Sequence, residues 1–453
     1  MLTNASGARE FVVPSSSEKG QFYTLVQSPQ QYKQLLMAGG VDRYFQIARC
    51  YRDEALRSDR QPEFTQLDLE VSCVSQNELF SFMETMLKRL WSELLHIDLP
   101  TPFLRMPFKE AMNRFGIDKP DTRFGMELCD VTACLKEAVE ANQGLEAKTL
   151  RSALEKGQHI IGINAKGLGA SLSRKELEAV AKEARRVGAS GVTQVQVKAD
   201  GSWKSAIAKH VDQDTLLALN KQLDAEEGDL LLLCTEETLL RTQQVMGFLR
   251  LYASKLQQEK GILTIPADQF NFLWVVDFPL FTAHDSVMDG PHEGHKLASE
   301  YEATHHPFTA PVPEDEDLLM GKDQTKDAFA RVRGQHYDVV VNGVELGGGS
   351  IRIHDAEMQM RVLRDVLGIS EDLVQEQFRH LLESLTFGCP PHGGIAFGLD
   401  RMLALMNGVT SIRDVIAFPK AHSGRELLTG APAPIPKEEL NEIGIALFQG
   451  QPK

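Results

Sequence analysis

Long apolar runs are missing from this 453-residue chain: none approaches the roughly 18 residues a membrane span needs, and the stretch Phe270–Phe281 is broken by Asp277 and Pro279. A membrane-spanning chain is excluded on that ground. Cysteine is scarce, with six residues at 50, 73, 129, 134, 234 and 389 and no C-x-x-C pair. Reduced structural thiols are therefore expected, rather than zinc ligands or disulfides. Only 20 prolines occur, without internal repeats or low-complexity segments, which removes collagen-like and disordered classes. Basic charge is in deficit, 48 Lys+Arg against 63 Asp+Glu, giving −15 and a pI near 5.4. Indiscriminate nucleic-acid binding is not expected of such a chain, although a local basic groove is compatible with it. Met1–Gly20 shows neither a basic segment followed by an apolar core nor an Arg-rich amphipathic helix, so no targeting peptide is read there.

What is present is an ordinary globular composition, 42% hydrophobic and 25% charged, with length for two or three domains. The pattern is α+β. Residues 1–123 read as the first part of one domain, 124–255 as an inserted α+β domain, and 256–453 as the return of the first domain, with a tail from Ala421, Pro- and Gly-rich around Gly430–Pro436, expected to wrap the surface as loop. Pro29–Met37 reads as a helix, and Tyr44–Asp53 with Phe64–Val74 as a β-hairpin. In its second strand Phe64, Gln66, Asp68, Glu70 and Ser72 share one face, and Leu67, Leu69 and Val71 the other, expected to be core. The intervening loop carries Arg57, Asp59 and Arg60. In the insert, Ser173 and Glu176 form a capping box and Leu230–Leu233 a short buried strand.

Asn342-Gly343 is a strong hairpin-turn signal, and the register it sets puts Asp338 and Glu345 on one sheet face roughly 7 Å apart, within reach of a divalent cation or a Mg²⁺-phosphate. Read from the hairpin alone, the pair is taken as solvated carboxylates on an exposed face, and the residues that follow turn the reading toward a site. Gly347–Ser350 allows close approach of backbone or ligand, with Arg352 on the strand just beyond. Gly393–Gly398 runs as an apolar strand into a helix with Arg401 in its first turn and Met402, Leu405 and Met406 inward, a start that leaves N–H groups accessible to an anion. His292-Glu-Gly-His295 lacks the four-residue spacing of a zinc-protease helix and reads as loop.

Taken together, Arg43–Glu54 with Arg60–Asp68 resembles the second signature motif of class II aminoacyl-tRNA synthetases, and Gly398-Leu-Asp-Arg401 the third. Gln27–Lys33, His305–Phe308, Glu345–Arg352 and Ile412–Lys420 narrow the resemblance to the aspartyl-tRNA synthetases of the bacterial and mitochondrial type. It covers essentially the whole chain. The resemblance implies an antiparallel sheet flanked by helices, and ATP-dependent activation of L-aspartate followed by transfer to tRNA(Asp), with tRNA(Asn) left open as a second acceptor. It also implies a homodimer without membrane association, in the mitochondrial matrix of a eukaryote or the cytoplasm of a bacterium. Two departures stand out: the chain starts after the anticodon-binding domain and first motif usual in the family, and Ser6 precedes Gly7-Ala8-Arg9 where many members carry Glu. A truncated, weakly charging form with an exposed apolar dimer face is the corresponding expectation.

Site roles follow from the same resemblance. Arg52 and Arg401 would be the catalytic arginines, with Arg52 holding the substrate carboxylate and the α-phosphate. Asp53, Glu54, Arg60, Gln61 and Phe64 would meet ATP together with Gly398, Leu399, Asp400 and Glu345, and Phe64 and Arg401 would sandwich adenine. Asp338 and Glu345 would hold Mg²⁺. Lys33 and Arg352 would take the side-chain carboxylate of aspartate, Gln30 and Asp68 its ammonium, and His305 its edge, a pocket that should reject asparagine. An ammonia-dependent asparagine synthetase and a catalytically silent paralogue are the rivals; aspartate-dependent ATP–pyrophosphate exchange, with tRNA or ammonia added, separates the three.

Overall fold

Period-two alternation organises the first hairpin. Arg43–Tyr51 pairs antiparallel with Glu63–Ser72, placing Phe45 opposite Leu69, Ile47 opposite Leu67 and Gln46 opposite Asp68, so one face is apolar and the other carries the acids. The computed structural model describes residues 10–54, 56–140, 145–283, 300–321 and 326–447. Ser6 and the His292–His295 stretch lie outside them. The chain divides into two compact units: Met1–Phe103 with Val276–Val339 and Leu346–Lys453, and Leu104–Val275 with Val340–Glu345.

In the first unit the expected core face is corrected. Asp68 and Glu70 are 0% exposed, whereas Phe45 and Ile47 on the leucine side are 73% and 58% exposed, and Leu67, Leu69 and Val71 are only half-buried. The acids are buried because the helix Gln30–Ala38, expected from the sequence, brings Lys33 onto them. The sheet continues from Glu63–Ser72 to His392–Gly398, with Glu70 opposite Gly394, and then to Val344–Ile351, with Gly349 opposite Ile395. Beyond it the strand order passes through Arg333–Val341 and Phe272–Pro279. This is the antiparallel, helix-flanked sheet the sequence pointed to. Gly394 is required by packing rather than by its torsion angles: a Cβ there would run into the Glu70 carboxylate and the Leu69 carbonyl. Behind the sheet, Gln76–Leu95 opens on a Ser75–Glu78 capping box and buries Leu79, Phe80, Met83, Leu87 and Trp91. The helix Leu399–Met406 buries Met402 and Ala404; Leu405 and Met406, expected inward, are half-buried. A short helix, Lys437–Glu442, occupies the tail where loop was expected.

The second unit is built on a sheet ordered Cys129–Asp130, Ile161–Ala165, Leu230–Cys234, Thr193–Val197, Trp203–Lys204. Leu230–Cys234 is buried throughout because it is central and covered on both faces: Leu230 and Leu232 join one apolar cluster, Leu231 and Leu233 another. The Ser173–Glu176 capping box is present. So is the Asn342-Gly343 turn, with φ of 53° and 81°, the paired positive values of a type I′ hairpin; Asn342 Oδ1 also accepts from the Asn271 amide at 2.9 Å. Arg250, unremarked in the sequence, is fully buried against Phe124 at 4.1 Å from the ring centre and donates to the carbonyls of Asp121, Phe124, Gly125 and Met126. All six cysteines are free, and burial pushes the Cys50 and Cys234 thiols up to about 12. No helix among the described residues is long and apolar enough to cross a membrane.

Gly394→Ala should therefore destabilise the chain by at least about 1–3 kcal/mol, the range for overpacking a filled interior. Gly191→Ala, where an added Cβ meets nothing within 4 Å, should stay within about 0.5 kcal/mol. Denaturant unfolding of the two variants beside the parent checks this; equal midpoints would contradict the packing role of Gly394.

Candidate active site

Four charged side chains meet in the interior of the first unit. Lys33 Nζ pairs with Asp68 Oδ1 and lies 2.9 Å from Glu70 Oε2. Arg352 Nε reaches Glu70 Oε1 at 2.9 Å and its Nη2 reaches Oε2 at 3.2 Å, a two-pronged grip. All four side chains are at most 2% exposed. Three separate segments supply them: Lys33 the first helix, Asp68 and Glu70 alternate positions of the hairpin strand, and Arg352 the residue after Val344–Ile351. Arg352 Nη1 donates further to Ser350 Oγ at 2.7 Å and to His306 Nε2 at 2.6 Å.

Burial alone would push the Glu70 carboxyl up, but Arg352 and Lys33 override it and hold it at about 2. Asp68 goes the other way: desolvation raises its pKa above the usual aspartate value despite Lys33. Desolvation first and Arg352 second push His306 well below the ordinary imidazole range, so it stays neutral and accepts the arginine N–H. Two polar atoms at this site are buried without a hydrogen-bond partner, Asp68 Oδ2 and Gln30 Nε2. An acceptor and a donor left unsatisfied in the interior suit a ligand that carries both an ammonium and a carboxylate.

The residues expected to meet ATP lie at the hairpin's far end and at the start of the helix Leu399–Met406. The Arg52 guanidinium carbon sits 5.2 Å from the Phe64 ring centre. Arg60 Nη1 pairs with Glu54 Oε2 at 3.0 Å, and Arg401 Nη2 lies 3.6 Å from Asp59 Oδ2. Asp53 is exposed, and Gly398 and Leu399 are half-buried at the helix start. Asp400 Oδ2 accepts from the Thr65 amide at 2.9 Å, tying that helix start to the strand. Gln61 is engaged at both ends of its amide by the Lys420 backbone, at 2.7 and 3.2 Å, while Lys420 Nζ pairs with Glu63.

Asp338 is 6% exposed, and its Oδ1 lies 2.9 Å from His336 Nε2. A Cβ at Gly348 would occupy the place of this carboxylate, so the glycine is what admits it. Carboxylate oxygens are the donors a hard cation takes, and the buried Asp338 carboxylate offers them; Glu345 is half-buried. His305 stacks on His336 with ring centres 3.2 Å apart, and its neighbour His306 bonds Arg352.

Sequence reading missed Glu70 and His306. Glu70 carried a signal, since it shares the face of Asp68 two residues on; His306 carried only its place in the His-His-Pro-Phe run.

Glu70→Gln leaves two buried cations without their shared anion and should cost about 3–5 kcal/mol of unfolding free energy. In the folded chain Arg352 and Lys33 hold its carboxyl at about 2, below the ordinary glutamate value of 4.5. The stabilisation is thus complete above pH 4.5 and is lost as pH falls toward 2. Urea unfolding across that window should show a fall in the parent that is flattened in the variant; parallel pH profiles would contradict the assignment.

The family model for class II tRNA synthetases (D, K and N) matches residues 1–422. An aspartate–tRNA(Asp/Asn) ligase of Opitutus terrae is 46% identical over 439 residues, 97% of this chain and 69% of that protein. A mitochondrial aspartate–tRNA ligase of Dictyostelium discoideum is 45% identical over 442 residues, covering 96% of this chain and 61% of that protein. An aspartate–tRNA ligase of Agathobacter rectalis is 43% identical over 441 residues, 97% and 68% of the two chains. With identity at this level over nearly its whole length, and the charged cluster set in an antiparallel sheet, the chain belongs to the class II tRNA synthetases and, within them, to the aspartate–tRNA ligases, enzymes that form an aminoacyl-tRNA bond.

Proposed function

We propose that the Lys33–Asp68–Glu70–Arg352 cluster is the amino-acid site of an aspartate-activating enzyme, and that binding works by exchanging partners within it. The observation that carries this reading is a buried, charge-balanced set of two cations and two carboxylates with one carboxylate oxygen unsatisfied. The substrate ammonium takes Asp68, with the amide oxygen of Gln30 as a second acceptor, and releases Lys33. Lys33 and Arg352 then hold the side-chain carboxylate, while Glu70, Ser350 and His306 keep the guanidinium in place. His305 lies at the substrate's edge. The α-carboxylate, oriented by Arg52, attacks the α-phosphorus of ATP and expels pyrophosphate, and a ribose hydroxyl of the tRNA end then displaces AMP. Such in-line displacement needs positioning and charge neutralisation, not a protein nucleophile.

Arg52 and Arg401 supply positive charge to the phosphates, and Phe64 a face for the base. Asp53, Glu54, Arg60, Gln61, Gly398, Leu399 and Asp400 shape the remaining nucleotide wall. Mg²⁺ held by Asp338 and Glu345 would offset the charge of the outer phosphates. tRNA(Asp) is the acceptor in this reading, and charging assays with tRNA(Asn) decide whether it is a second one. The open face with Phe45 and Ile47 supports a homodimer through that strand. The compartment follows the source, mitochondrial matrix or bacterial cytoplasm.

Lys33→Ala and Arg352→Ala should each raise the aspartate requirement in ATP–pyrophosphate exchange by about 2–4 kcal/mol, on the order of 30- to 800-fold, with the ATP requirement nearly unchanged. Loss of ATP affinity with aspartate affinity intact would overturn the division of the site. Asp338→Asn and Glu345→Gln should shift the Mg²⁺ dependence of exchange to higher concentration; an unchanged metal titration in both variants would remove that role.

A further inference from the structure

We propose that His305, His336 and Asp338 form a site for one divalent transition ion of the zinc or cobalt class, distinct in donor chemistry from an all-oxygen Mg²⁺ site. Their ligand atoms all lie within 4.8 Å of one another, and no other trio of His, Cys, Asp or Glu among the described residues does so. The donors come from two places in the first unit. His336 and Asp338 are alternate residues of Arg333–Val341 and therefore face the same way; His305 follows the short strand Tyr301–Ala303. His336 and Asp338 are 5% and 6% exposed, whereas His305 is exposed and forms the solvent side. Phe278 fixes both imidazoles by edge contacts, 5.0 Å to His305 and 4.9 Å to His336.

Two imidazole nitrogens and one carboxylate oxygen are the donor set of borderline ions, while Mg²⁺ and Ca²⁺ favour oxygen alone. Bonds of about 2.0–2.2 Å at near-tetrahedral angles place ligand atoms roughly 3.4 Å apart. In the present group one pair is closer than that, His336 Nε2 and Asp338 Oδ1 at 2.9 Å, and all the ligand atoms lie within 4.8 Å of one another. The His305 and His336 rings are nearly parallel, 15° apart with centres at 3.2 Å, closer than the roughly 4.5–7 Å usual for aromatic pairs. Parallel rings do not aim their lone pairs at one point, so binding must tilt one ring. His305, on the open side, is the ring that tilts, shifting against its edge contact with Phe278, and the tilt relieves the crowding. The ion takes the place of the proton between His336 Nε2 and Asp338 Oδ1, 2.9 Å apart, and that proton moves to Nδ1 of the same ring, so His336 binds as a neutral imidazole. Three protein ligands leave a fourth position on the solvent side for water or an anionic oxygen. Asp338 and His305 also serve the proposed Mg²⁺ and amino-acid sites, so this ion competes with those ligands for the same side chains and is read in their absence.

The test uses the full chain, stripped with chelator and titrated with Co²⁺ in the absence of ATP and amino acid. One equivalent should produce the visible ligand-field band of four- or five-coordinate cobalt, and one equivalent of Zn²⁺, but not excess Mg²⁺, should bleach it. His305→Ala and His336→Ala should each weaken Co²⁺ binding by roughly 100-fold or more, since outer-shell changes alone cost about 10–100-fold. Should His336→Ala fail to fold, His305→Ala decides, because that side chain is exposed. Absence of the band at stoichiometric Co²⁺, or an unchanged band and affinity in His305→Ala, would overturn the proposal.

Discussion

Everything around the candidate amino-acid site follows from one constraint: two cations and two carboxylates are held at 2% exposure or less. An isolated charge in such a place would be unsustainable, so each is tied to at least one of the others. Glu70 is the hub because it alone touches both cations. Its carboxylate dictates glycine at 394 on the paired strand. The remaining donors of Arg352 then require Ser350 and a neutral His306. Sequence features that look unrelated, a glycine run, a His-His pair and a helix lysine, are thus consequences of burying the same four charges.

As the proposed amino-acid site, the cluster also gives selectivity a physical basis. In the structure the charges balance, so a ligand bearing a single carboxylate would unbalance them. An amino acid whose ammonium takes over Asp68 while its side-chain carboxylate takes over Lys33 restores the balance. An amide side chain cannot, and leaves the released lysine without an anion. The rise in the Asp68 pKa that burial causes has the same origin: this carboxylate is only partly compensated until a second cation arrives. In the proposed reading stability and recognition draw on different members, Glu70 for the first and Asp68 for the second.

Local chemistry was readable from the sequence. Alternation located the hairpin and grouped Asp68 with Glu70, Asn342-Gly343 gave a turn with both φ values positive, and Ser173 with Glu176 gave a cap. What could not be read was long-range. Glu70 meets Arg352 across 282 positions of sequence, and nothing in its own neighbourhood announces the pairing. Arg250 looks like any helix arginine until Asp121–Met126 wraps carbonyls around it. The leucine face of the hairpin was read as core because alternation says which residues share a face, not which face is covered. Burial was decided by Lys33, a residue that reads locally as a solvated helix lysine.

Selection against the neutral isostere is the most direct measurement. ATP–pyrophosphate exchange by the unmodified chain, followed with L-aspartate and with L-asparagine, should give kcat/KM values that differ on the order of 10⁴-fold in favour of aspartate, because asparagine leaves Lys33 buried and unpaired. A difference within tenfold would contradict the assignment of the four-charge cluster as the amino-acid site.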